Sequence, residues 1–310
     1  MHFLPLEVQL DVLKCLDFNE IFVVKQTNFY FYNLINKYEG ELTRMKFSEL
    51  SIIDENKDID FEYKSIDPQS GVFEFTLNDQ LMKKWQKAID KSIPLFLSEY
   101  DIEPVIRIET FGDYRNYLLK LPTIPKNIEE MIIVCFWLEQ LFNCAIYNCD
   151  FIKIVFNPEM INILFETNPP KLHVPIPYLI PSNRIFENTI DFILNHLAID
   201  ELLVLNFEYL NNEEQYTDIL FNIIINEGNK FPRIRLTNCT IKRLYDLIIE
   251  YITTTRDCSK MIVKIELWVI TYPNFEIYER AENVEIEYED DEETVTRFEI
   301  ANIYNPKITK

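Results

Sequence analysis

The chain has 310 residues, 48% hydrophobic and 26% charged, which is the balance of a folded globular protein with material for a large core. Its net charge of −21 argues against nucleic acid as the main ligand, because phosphate contacts need clustered Lys and Arg, and it disfavours an anionic membrane surface. Glu7 and Asp11 interrupt the start before an apolar region forms, and the apolar run at 131–138 is too short to span a bilayer, so an intracellular address in cytoplasm or nucleus is expected. The six cysteines, Cys15, Cys135, Cys144, Cys149, Cys239 and Cys258, are scattered, with no CxxC pair and no nearby His. They read as reduced, mostly buried thiols, and no metal site or cofactor is expected.

In chain order, the first predicted element is a helix from Pro5 to about Leu16. Proline is tolerated at a helix start, and Glu7 suits the positive end of the dipole. Its apolar residues fall on two stripes, one of Leu6, Leu10 and Leu13 and one of Val8, Val12, Cys15 and Leu16. A surface helix needs only one such stripe. A short helix follows with Ile21, Val23 and Val24, then a third over 29–37. Three short helices can hardly bury a core unaided, so the second stripe points to a partner protein.

Leu4-Pro5-x-Glu7-Val8, then Val12-Leu13-x-x-Leu16-Asp17-Phe18, then Ile21 and Val24, and Phe31-Tyr32-Asn33-Leu34-Ile35 resemble an F-box, and the run from Asn28 to Tyr32 resembles the nematode variety. Thr27-Asn28 and Phe31 stand where the wider family commonly has Val-Cys and Trp. The resemblance implies a three-helix F-box over 1–47 that docks on a Skp-type adaptor and, through it, a cullin scaffold. On that basis Leu4, Pro5, Glu7, Val8, Val12, Leu16, Phe18 and Ile21 are the expected adaptor-binding residues.

Residues 48–60 carry Asp54, Glu55, Lys57, Asp58 and Asp60 and read as a polar linker to a target-binding domain over 61–310. Alternation over 71–77 predicts a strand, and Asn78 a helix cap for 79–91 with Leu81, Met82, Trp85 and Ile89 buried. Short strands are expected at 95–97, 105–108 and 117–121. From Met131 onward strand-like segments recur, with Val134, Phe156, Ile176, Leu205, Leu236 and Leu267 as comparable positions. Helical patterns separate them at 161–165, 190–194, 217–221 and 245–249. This predicts an α/β region with a mostly parallel sheet and right-handed crossovers, in the form of an irregular, leucine-rich-repeat-like βα solenoid, with a flat or closed α/β sheet as the other form. Val284, Ile286 and Tyr288, an acidic run to Glu293, then Phe298 and Ile300 predict a closing β-hairpin.

Chemistry is sparse. The four glycines are too far apart for a phosphate-binding loop, and no serine stands in a GxSxG elbow. No catalytic residues are expected, and the chain reads as a non-enzyme. Strand alternation supplies a binding surface instead. If Ile154, Phe156, Leu203, Leu205, Ile234, Leu236, Ile265 and Leu267 face the core, then Lys153, Asn206, Arg235, Thr237, Lys264, Glu266 and Trp268 face outward. Those seven are the expected target-binding residues, suited to an acidic or phosphorylated segment. With the resemblance, the reading is a substrate-recognition adaptor of an SCF-type cullin–RING ubiquitin ligase holding an unknown target protein. The other reading is a non-ligase interaction scaffold with a helical cap.

Overall fold

A computed structural model describes residues 4–16, 20, 24, 27–38, 46–70, 77–112, 114–165, 169–210, 213–239, 242–271, 281–289 and 293–300. Helix α1 (Leu6–Lys14) begins after Pro5, with Glu7 in its first turn and Lys14 in its last, each at the dipole end that favours its charge. Helix α2 (Phe29–Lys37) is capped by Asn28, whose side chain accepts from the Phe31 N–H at 3.0 Å. Leu13, Phe31, Leu34 and Ile35 make a small core of their own, with Leu10, Leu16, Val24 and Tyr38 packed on it. Gln9 ties the two helices together. Its Nε2 donates to the Leu4 carbonyl at 2.7 Å, and its Oε1 accepts from the Tyr30 hydroxyl at 2.9 Å. Phe18, and Ile21 and Val23 of the expected middle helix, lie outside the described residues.

Next come β1 (Lys46–Asp54), β2 (Tyr63–Ile66), α3 (Asp79–Asp90), β3 (Phe96–Ser98), β4 (Pro104–Glu109), β5 (Asn116–Leu119) and α4 (Ile128–Phe142). Strands and helices then alternate: β6 (Ala145–Ile152), β7 (Ile154–Phe156), α5 (Pro158–Leu164), β8 (Leu172–His173), β9 (Ile176–Ile180), α6 (Phe186–His196), β10 (Leu197–Ala198) and β11 (Leu203–Asn206). The series continues through α7 (Thr217–Asn226), β12 (Arg233–Cys239), α8 (Lys242–Thr254) and β13 (Lys264–Thr271). It closes with β14 (Ala281–Glu289) and β15 (Glu293–Ile300), which pair antiparallel as a hairpin. The acidic positions 290–292 between them lie outside the described residues.

The described strands form a mixed, mostly parallel sheet. Its central run, β1, β6, β9, β11, β12, β13, is parallel and follows chain order in space. Each step after β6 crosses over through a helix that lays the next strand beside the last. Antiparallel strands flank the run, with β4 on β1 and β15 on β13. Strands β3 and β7 pair separately.

Asparagines start three further helices. Asn78, Asn127 and Asn157 accept from the N–H groups of Leu81, Glu130 and Glu159 at 2.8, 2.8 and 3.0 Å. Leu50, Ile52, Phe151, Leu179, Leu205 and Leu236 point to one side of the sheet, where the buried residues of α3 to α8 join them in a single core. Trp85 of α3 is fully buried there, and its indole N–H donates to the Ile163 carbonyl at 3.1 Å. The other side of the sheet carries none of these helices.

Two expectations are corrected. Residues 48–60 are not a linker throughout: Lys46–Asp54 is strand β1, inserted between β4 and β6. Leu50 and Ile52 alternate into the core there. The charged run that suggested a linker starts only at Asp54, whose carboxylate accepts from the Asn56 N–H at 3.2 Å to build the turn. Val134 lies in helix α4, not in a strand. Both faces of that helix are apolar because it is buried, and a continuous apolar run reads alike in either conformation. Residues 71–76 of the expected strand at 71–77 lie outside the described residues.

Candidate functional site

The helix-free face is read off the register. Ser51, Asp150, Tyr178, Val204, Arg235 and Glu266 follow one another across β1, β6, β9, β11, β12 and β13 as direct neighbours. They alternate with the core residues of the same strands, so they share the face away from the helices. The row carries opposite charge at its two ends.

At the β12–β13 end, Glu266 sits among cations. Its carboxylate accepts from Arg235 Nε at 2.7 Å and from Arg233, and Lys264 Nζ stands 3.7 Å from it. Burial alone would raise the Glu266 carboxyl, but the bonds from Arg235 and Arg233 hold it below its ordinary value, and it stays ionised. Among the described residues the two guanidiniums of Arg233 and Arg235 share this one carboxylate. The Arg235 guanidinium lies 4.4 Å from the centre of the Trp268 ring, a cation–π contact that presents it flat on the face.

At the β1–β6 end, Arg107 of β4 bonds Glu49 at 3.0 Å and Glu109 at 2.7 Å and lies 4.8 Å from the Phe61 ring centre. Asp150 accepts no hydrogen bond among the described residues. Burial and the neighbouring Glu49 charge push its carboxyl up to about 6 against the pull of Arg107. Its register partner Ser51 is 4% exposed, and the Ser51 hydroxyl has no hydrogen-bond partner among the described residues.

The seven expected target-binding residues are not all alike. Arg235, Thr237, Lys264, Glu266 and Trp268 lie together on β12 and β13 of this face. Asn206 is on the face but buried: it donates to the Tyr178 hydroxyl at 2.6 Å and accepts from the Glu208 N–H and Asn238, both at 2.9 Å, so it braces the strand ends. Lys153 lies off the row, in a left-handed conformation at φ 58° between β6 and β7, with its ammonium 3.2 Å from the Tyr209 ring centre. Sequence reasoning missed Arg233, Ser51 and Asp150. Asp150 was within reach, because it alternates with Cys149 and Phe151 as a strand residue should.

The N-terminal helices present a second surface. Leu4 and Val8 are each 41% exposed and Leu6 38%, beside exposed Pro5 and Glu7 and half-buried Val12 and Leu16. Phe29 and Tyr30 at the start of α2 are also exposed. Leu10 and Leu13 fill the inner side and Leu16 packs on it, while Leu6, expected on the stripe of Leu10 and Leu13, is exposed at the helix start. Phe18 and Ile21 lie outside the described residues.

Among the described residues no group of His, Cys, Asp or Glu converges as a metal site, and no helix is long and apolar enough to cross a membrane. Burial pushes the Cys135 thiol up to about 12 and the Cys149 thiol well above its ordinary value, so neither is a nucleophile at neutral pH.

Residues 66–208 are similar to a family described as a domain of unknown function, DUF8381. No curated protein and no solved structure matches the chain. The similar span runs from the end of β2 to just beyond β11. It leaves out the N-terminal helices and β1, although β1 lies within the sheet.

Proposed function

We propose that this chain is a substrate-recognition adaptor of an SCF-type cullin–RING ubiquitin ligase. It docks on a Skp-type adaptor through α1 and α2 and holds a target protein on the helix-free sheet face. The supporting observation is the exposed apolar start of α1. Leu4, Leu6 and Val8 stay exposed although the helix already has an inner core side, and these positions carry the F-box resemblance. Parallel strands in chain order, with helices on one side only, further support a curved, leucine-rich-repeat-like solenoid. In this role the chain makes no covalent bond and supplies effective concentration and orientation for ubiquitin transfer by other subunits.

Co-purification of the full chain with a Skp-type adaptor tests the reading. Capture by the wild type, lost in Leu4→Glu and Val8→Glu variants that retain the wild-type melting temperature, is the expected result. A folded wild-type chain that captures no adaptor overturns the ligase role and leaves the scaffold reading.

A further inference from the structure

The two ends of the helix-free row carry more than a general recognition role requires. Asp150, Tyr178, Val204 and Arg235 are register neighbours on four adjacent strands. Three inter-strand steps separate Asp150 from Arg235, about 14 Å at the usual strand spacing. An extended chain rises about 3.4 Å per residue and turns every second side chain to one side, so its residues i and i+4 lie about 14 Å apart on a common face. A helix presents side chains on one face at i+7 and i+11, about 10.5 and 16.5 Å apart, and matches neither way.

Each end lacks what such a segment would bring. Arg233 and Arg235 share a single carboxylate, so a second anion there meets uncompensated positive charge. At the other end the Asp150 carboxylate accepts no hydrogen bond among the described residues, and the adjoining Ser51 hydroxyl is buried without a partner. An ammonium or guanidinium supplies a donor to both. Between them Tyr178 offers a partly exposed ring beside the buried Val204.

We propose that the helix-free face reads an extended segment of a partner protein carrying an acidic and a basic side chain four residues apart, with an apolar residue midway. The acidic group sits at Arg233 and Arg235, and the basic group at Asp150 and Ser51. This rests on the face being the recognition surface and is independent of adaptor docking. Carboxylate and phosphate share the required chemistry at the arginine end.

The test uses the full chain and fluorescein-labelled seven-residue peptides, read by anisotropy. One probe has Glu and Lys four apart around a central Leu in a serine background, in either order. A second replaces Glu by phosphoserine, and others place the charges two or six apart or replace Lys by Ser. The four-apart probes should bind about tenfold more tightly than the rest, and the better of Glu and phosphoserine identifies the acidic group. Arg235→Glu and Asp150→Lys should each remove that advantage while leaving adaptor capture unchanged and a cooperative thermal unfolding transition in place. Binding independent of spacing, equal binding by the Lys-free probe, or no binding at about 1 mM overturns the proposal. Failed adaptor capture with intact spacing preference removes only the ligase reading.

Discussion

Arg235 and Glu266 face each other directly across β12 and β13, with Nε 2.7 Å from Oε2, and Arg233 reaches the other oxygen of the same carboxylate. Glu266 is thus the internal counter-ion of a site that reads as cationic. Glu266→Gln is expected to raise affinity for anionic peptides and to cost about 1 kcal/mol of stability, since the pairs are only half-buried. The folded Glu266 carboxyl lies below its ordinary value of 4.5, so its contribution is full above that value and is lost as pH falls through the lower folded one. Urea unfolding should show a stability gap between wild type and variant above about pH 4.5 that closes as pH falls below it.

Asp150 carries the opposite sign. Its folded carboxyl is raised from 3.8 to about 6, so above pH 6 the folded state holds an unfavourable charge that the unfolded state solvates. Asp150→Asn is expected to stabilise the chain by on the order of 2 kcal/mol at alkaline pH. The gain should shrink as pH falls through about 6 and vanish near 3.8. The same variant should lose the preference for a basic residue in the peptide. A residue that costs stability and supports binding marks a functional site. Equal unfolding midpoints at pH 8 would remove this account.

His196 is fully buried beside Phe192, and neither of its ring nitrogens has a hydrogen-bond partner among the described residues. Burial holds its pKa below the ordinary 6.5, with Lys171 adding to the effect and Asp191 opposing it. The unfolded chain therefore takes up a proton first as pH falls below 6.5, and stability declines until the folded value is reached. This overlaps the Asp150 window with opposite slope, so each must be read as a difference between wild type and variant. His196→Leu should stabilise by about 1 kcal/mol at pH 7, by removing a buried group without hydrogen bonds. The gain should grow toward pH 5 in thermal melts.

Much of the architecture was legible. The helical patterns at 190–194, 217–221 and 245–249 lie in α6 to α8, that at 161–165 lies in α5 up to Leu164, and the strands through Leu205, Leu236 and Leu267 stand where alternation put them. Asn78 caps its helix as its position before an amphipathic run suggests. Strand β1 was hidden because Ser48, Glu49 and Ser51 dilute its apolar alternation and the charged turn after it dominates the window. Val134 was misplaced because a buried helix and a buried strand are both apolar throughout.

Local patterns fixed what two segments bury: Leu10 and Leu13 on the inner side of α1, and the inward residues of β11 to β13. These follow from periods of 3.6 and 2, which depend on neighbours in sequence alone. Which residues share the outer face was decided by the sheet. Register brings Ser51, Asp150, Tyr178, Val204 and Arg235 into one row from positions far apart in the chain. No local rule specifies that row, because inter-strand register depends on how the whole core packs. The same packing leaves Asp150 without a hydrogen bond and gives Arg233 and Arg235 one carboxylate to share, and the charge pattern of the face follows from it.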